Sequence, residues 1–146
     1  MGTLRDEYSE FLQEHWWDYF GTVTFRSPRR EPYYALKNVY SELKKHNVAR
    51  AFMGVEPHSS GDLHIHGLFA GANPAWKPWI DTPWQIQEGM YKRFGISKIE
   101  VARSSEQVAA YCSKYILKGQ NSVGDHYNFF GSPLSWREGL TDHGIL

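Results

Sequence analysis

A chain of 146 residues, 41% hydrophobic and with Cys112 as its one cysteine, has enough apolar material for a packed domain and excludes an internal disulfide or a cysteine-rich zinc site. It has no run near the roughly eighteen consecutive apolar residues of a membrane-spanning helix, and Met1 to Glu7 lack a signal-like apolar core, so a soluble, intracellular protein is expected. Sixteen basic and sixteen acidic groups cancel, which argues against a generally basic nucleic-acid binder, but residues 1–18 hold one basic group against five acidic ones, leaving residues 19–146 with fifteen against eleven.

Leu4, Tyr8, Phe11, Leu12 and His15-Trp16 recur at helical spacing and predict an amphipathic helix over residues 3–17 that packs on the domain. Tyr19 to Phe25 reads as the first strand. The sharpest basic cluster follows it at once: Arg26, Arg29 and Arg30 are candidate phosphate contacts, together with Lys118 further on. Pro32 can open a helix running to about His46, and Ala49 to Glu56 and Asp62 to Ala70 are strands joined by the turn signal Ser59-Ser60-Gly61-Asp62.

Gly71 to Trp84 contains three prolines and three tryptophans without a steady period. The rings are expected to pack down as a small core, with stacking on unpaired bases as the alternative. Thr82 caps a helix that has Pro83 first and ends near Arg93, and Ile96 to Ala102 alternates as a strand. Ser104 and Gln107 form a capping-box pattern ahead of the stripe Val108, Ala109, Cys112 and Ile116, predicting a helix over Ser105–Lys118 with Gly119 as its stop.

Residues 119–146 carry weak signals and read as an ordered tail wrapping the domain, and the lone His126 within them reads as a surface residue rather than a ligand. The order β-α-β-β-α-β-α implies one α+β domain over residues 1–146, with an antiparallel sheet of four or five strands and helices packed on it.

Two clusters carry chemistry. Side chains alternate along a strand, so His64 and His66 fall on one side of it, and a hairpin would set Glu56 beside them. Two imidazoles and a carboxylate with open positions suit Mn²⁺, Mg²⁺, Fe²⁺ or Zn²⁺. Taken alone, such a pair reads equally as solvated strand histidines. On the downstream helix Tyr111 and Tyr115 are i, i+4 neighbours flanked by Lys114, which by itself describes an amphipathic rim.

Read together, the clusters resemble the HUH endonucleases of the replication-initiator (Rep) class, found in rolling-circle plasmids, single-stranded DNA viruses and phages. That family places His-hydrophobic-His on a central strand and Tyr-x-x-Lys or Tyr-x-x-Lys-Tyr on a later helix. Phe20-Gly21-Thr22-Val23-Thr24-Phe25 also looks like its first motif strand, so three motifs stand in the family's order across residues 19–119.

The resemblance implies a ferredoxin- or RRM-like palm, a Mn²⁺ or Mg²⁺ ion on Glu56, His64 and His66, and Tyr111 as the nucleophile. Lys114 would assist, and Tyr115 is a candidate second nucleophile. It also implies single-stranded DNA as substrate, at an origin or hairpin, and a covalent 5′-phosphotyrosine. A Gly-x-x-x-x-Gly-Lys-Ser/Thr motor motif is missing, so unwinding falls to a separate helicase unless the chain is the nuclease domain of a longer protein. The expected location is a bacterial cytoplasm, or the host nucleus for a eukaryotic virus. A tyrosine HUH transposase and a non-catalytic RRM-like binding module are the alternatives.

Overall fold

Alternation of side chains along the strands sets the architecture. The computed structural model describes residues 4–27, 29, 31–57, 63–72, 79–102, 104–117 and 126–140. In chain order these form α1 (Leu4–Gln13), β1 (Tyr19–Thr24), α2 (Pro32–Lys44), β2 (Val48–Pro57), β3 (Leu63–Gly71), α3 (Pro83–Arg93), β4 (Ser97–Val101) and α4 (Ser105–Tyr111). A π-helical turn (Cys112–Leu117), β5 (His126–Gly131) and α5 (Pro133–Glu138) follow. The strands make one sheet in the order β4-β1-β3-β2-β5, antiparallel throughout. This is the α+β arrangement that the element order implies.

One parity of the strands, with Val23, Met53, Val55, Ile65, Phe69 and Ile99, is buried with Leu36, Val39 and Leu43 of α2 and Ile86 and Met90 of α3. The other parity carries Phe52 and Leu68, which pack with Leu12 of α1, Val108 of α4, and Cys112 and Ile116 of the π turn. That second face is covered at its Phe52–Leu68 end and opens toward Glu56, which is exposed. Local chemistry fixes the helix starts. Thr82 and Gln85 form a reciprocal capping box before Pro83, and Ser104 accepts a hydrogen bond from the Gln107 amide.

Three elements differ from expectation. The first helix stops at Gln13, because the chain then turns to pair with the C-terminal segment: the Trp16 amide donates to the Gly139 carbonyl (2.9 Å), and His15 bridges Leu140. The tyrosine helix is α-helical only to Tyr111 and continues as a π turn. The tail, within the described residues, is an edge strand and a short helix. On β5 Tyr127 and Phe129 reach Phe52, while Phe130 stacks on Tyr40 with ring centroids 4.8 Å apart.

Between α2 and α3 lies a charged cluster. Glu42, nearly buried, is 3.0 Å from His46 Nε2 and 3.3 Å from Arg93, and His46 Nδ1 is 3.0 Å from Asp81. Gly89 leaves the space, since a Cβ there would overlap Glu42 and His46. Burial works to raise the Glu42 pKa, but the hydrogen bonds from His46 and Arg93 outweigh it and hold the carboxyl below its usual 4.5. A depressed folded-state pKa gives stability that is present above the unfolded value and lost as pH falls through the folded one. Glu42→Gln is therefore expected to cost about 2 kcal/mol at neutral pH. In urea titrations that gap should close as pH falls below 4.5 and through the lower pKa of the folded carboxyl, and a gap that ignores pH would refute the assignment.

Candidate active site

β3 presents His64 and His66 on the open face, and the register decides what meets them. Glu56 of β2 pairs with His64, and Gly54 pairs with His66; on the other side, Thr24 and Thr22 of β1 take the corresponding places. The hairpin thus sets the Glu56 position beside the histidine pair. Gly54 is required by close approach, because a Cβ there would overlap the Tyr127 ring and crowd His66.

The tyrosines arrive from the opposite side. Tyr111, at the end of α4, is buried, and its hydroxyl lies 2.6 Å from His66 Nδ1. Tyr115 is half-buried and stacks on the same imidazole, with centroids 4.2 Å apart and planes 15° apart. Burial, reinforced by the Lys114 charge, pushes the His66 pKa down to about 3. In a neutral imidazole the direction follows the tautomer: the phenol O–H donates to Nδ1 when Nε2 carries the proton, and Nδ1–H donates to the phenol oxygen when Nε2 is free. Burial first, then the neighbouring acidic groups led by Tyr127, pushes the Tyr111 phenol well above its usual 10. At rest Tyr111 is a protonated phenol held against a neutral histidine.

The Lys114 ammonium sits 5.1 Å above the Tyr115 ring, so its direct contact is with the second tyrosine rather than with the Tyr111 oxygen. The π turn positions that pair, and it is supported from two distant elements. Tyr127 of β5 donates to the Tyr115 carbonyl (3.0 Å), and the Arg5 guanidinium of α1 donates to the Ile116 carbonyl. π turns recur at functional sites because the wider turn re-aims side chains. Gly54, Tyr127 and Arg5 are the parts that sequence reasoning missed. The Gly pairing opposite His66 was the one readable signal, given a hairpin register.

A divalent ion can be tested against this geometry. The donor types suit one, and strand register brings the Glu56, His64 and His66 positions together on one face. In the conformation seen, no group of three His, Cys, Asp or Glu side chains able to hold a metal occurs among the described residues. His66 has Nδ1 committed to Tyr111, so Nε2 is the atom that could ligate, in the tautomer whose Nδ1–H donates to the phenol oxygen.

Two arginines of the basic cluster make local contacts. Arg26 donates to the carbonyls of Tyr91 and Lys92 at the end of α3, and the Arg29 guanidinium lies 4.9 Å from the Phe25 ring centroid. Arg30 and Lys118 lie outside the described residues, as do Trp76 and the side chain of His126. Trp79 and Trp84 are 57% and 70% exposed, so these two rings do not form the expected small core. Thr82 and Pro83 start α3, and Trp84 stands exposed in its first turn.

A five-stranded antiparallel sheet, with His66 of its central strand against two tyrosines from a later helical segment, belongs here to a Rep-like replication initiator. The particular family follows from comparison: residues 18–120 match the family described as replication-associated protein ORF2/G2P, and the chain belongs to it. Its role lies in the initiation of replication. No curated protein matches the chain.

Proposed function

We propose that the chain is an HUH endonuclease that nicks and rejoins single-stranded DNA at a replication origin or hairpin. The observation that carries this reading is the 2.6 Å hydrogen bond between the Tyr111 hydroxyl and His66 Nδ1, at the edge of an open cleft that Tyr111 itself lines. Attack by the Tyr111 oxygen on a backbone phosphorus forms the tyrosyl ester and breaks the bond to the 3′-oxygen. The phenol proton ends on that oxygen, giving a 5′-phosphotyrosine and a free 3′-OH. The ester keeps the bond energy, so rejoining by a 3′-OH needs no ATP.

His66 serves the step at Nδ1. With Nε2 on an ion, Nδ1–H would donate to the Tyr111 oxygen and stabilise the phenolate as it forms; with Nε2 protonated, Nδ1 would accept the phenol hydrogen bond. Lys114 adds a positive charge near a developing dianion, and Tyr115, half-buried beside it, is in place to act as a second nucleophile. A Mn²⁺ or Mg²⁺ ion, held by Glu56, His64 and His66 once these side chains converge, would supply Lewis-acid polarisation of the scissile phosphate. Glu56 is exposed and therefore has room to turn in.

The test is a 3′-labelled pool of randomised single-stranded DNA incubated with the protein and Mn²⁺. A labelled band at protein mass on a denaturing gel is expected, and EDTA should remove it. Binding without any such band, indifferent to chelator, would instead fit an RRM-like binding module. A separate helicase, or a motor in a longer protein, would supply unwinding.

A further inference from the structure

A cleft of about 390 Å³ lies beside the tyrosines, within the size range of small-ligand sites. One wall is sheet: Phe20 pairs with Glu100 and Thr22 with Lys98, so a half-buried ring stands next to a carboxylate and an ammonium. The other wall is helix, where Gln107, Tyr111 and Lys114 follow one stripe at i, i+4 and i+7. Lys98 and Glu100 lie 3.6 Å apart on the rim, with side chains 72% and 44% exposed. The cleft lining thus combines aromatic rings, the two cations Lys98 and Lys114, and a polar edge with Glu100 and Gln107.

We propose that this cleft is a nucleotide subsite, taking the base next to the cleaved phosphate and preferring a base with an exocyclic amine. The inference rests on the nicking reading, because a phosphate reaching Tyr111 has a nucleotide on each side and the cleft opens onto Tyr111. Phe20 offers a ring face for stacking, a sequence-tolerant source of affinity. Lys98 and Lys114 offer charge to the phosphates. Selection comes from the edge. A Glu100 carboxylate accepts hydrogen bonds and donates none, and Gln107 can do both, so an amine is welcome where a keto oxygen would face another oxygen.

Deoxycytidine and deoxyuridine differ at C4, amine against keto, and at the adjoining N3, acceptor against donor, and 3′-labelled dC and dU oligonucleotides are the probes. Fluorescence anisotropy with EDTA present keeps cleavage out of the measurement. The wild-type protein is expected to bind the dC probe about tenfold more tightly than the dU probe. Glu100→Gln, which can also donate, should bring the ratio below about twofold while leaving dC binding within about threefold. Phe20→Ala should weaken both probes alike, by about tenfold.

Equal affinity for dC and dU, or a preference that survives both Glu100→Gln and Gln107→Ala, would overturn the subsite. If the adduct forms but the base preference is absent, the nicking reading stands and the subsite falls. A preference that answers to these variants, with no adduct under any divalent metal, supports the subsite as a binding site and removes the nicking reading.

Discussion

Tyr111→Phe is expected to abolish the covalent protein–DNA adduct, lowering its rate at least about a thousandfold and below detection on a gel. The substitution removes the one oxygen that His66 Nδ1 contacts at 2.6 Å and leaves the ring in the packing between α4 and the sheet. Folding should survive, with a stability loss of about 1 to 2 kcal/mol for the missing buried hydrogen bond. Circular dichroism and a urea midpoint separate that loss from unfolding. Tyr115→Phe should keep the adduct, since its ring stacking on His66 does not need the hydroxyl. An adduct retained in Tyr111→Phe and lost in Tyr115→Phe would reverse the assignment and make the half-buried tyrosine the primary nucleophile. The double variant guards against either residue substituting for the other.

The largest effect on stability is expected from Arg50→Ala, about 3 to 5 kcal/mol by urea unfolding. Arg50 is fully buried on β2, with its guanidinium 4.1 Å from the Trp16 ring centroid, 5.0 Å from Trp17 and 5.9 Å from Trp136. It donates to the carbonyls of Trp16 and Ser135, and Gly139 is needed beside it because a Cβ there would overlap the guanidinium. Burial lowers its pKa to about 10, a shift that Asp18 partly opposes, so it is still a cation at neutral pH. Truncation would leave a cavity and take the guanidinium donor from the Trp16 carbonyl, while the Ser135 carbonyl keeps its bond from the Gly139 amide.

Lysine should restore only part of the loss, since it lacks the planar fork that both bonds and stacks. A loss under about 1 kcal/mol for Arg50→Ala would show that the aromatic cage closes without its cation. The residue also bears on the site. It ties α5 to β2 beside β5, and β5 brings Tyr127 to the π turn that carries Tyr115.

Much of the scaffold is legible in the chain because it is encoded by near neighbours. The Thr82-Pro83 cap and Ser104-Gln107 spacing fix two helix starts locally, and the alternation from Leu63 to Phe69 fixes which residues share a face with His64 and His66. β2 and β3 are consecutive and pair antiparallel up to Pro57 and Leu63, so the pairing of Glu56 with His64 could be anticipated from sequence. β5 could not, since its partner strand lies some 75 residues earlier and its own composition of aromatic, polar and glycine residues has no strong period.

Residue types and spacing determined by themselves an α+β chain with a strand-borne histidine pair and a later helix offering tyrosines. Only the tertiary structure decided that Tyr111 is the buried partner of His66, that Lys114 rests on Tyr115, that Arg26 is spent on α3, and that Arg50 pins the C-terminal segment. The physical reason is range. Periodicity and capping act within a few residues, whereas burial, cation placement and the opening of a π turn depend on which distant segments supply walls, carbonyls and charge.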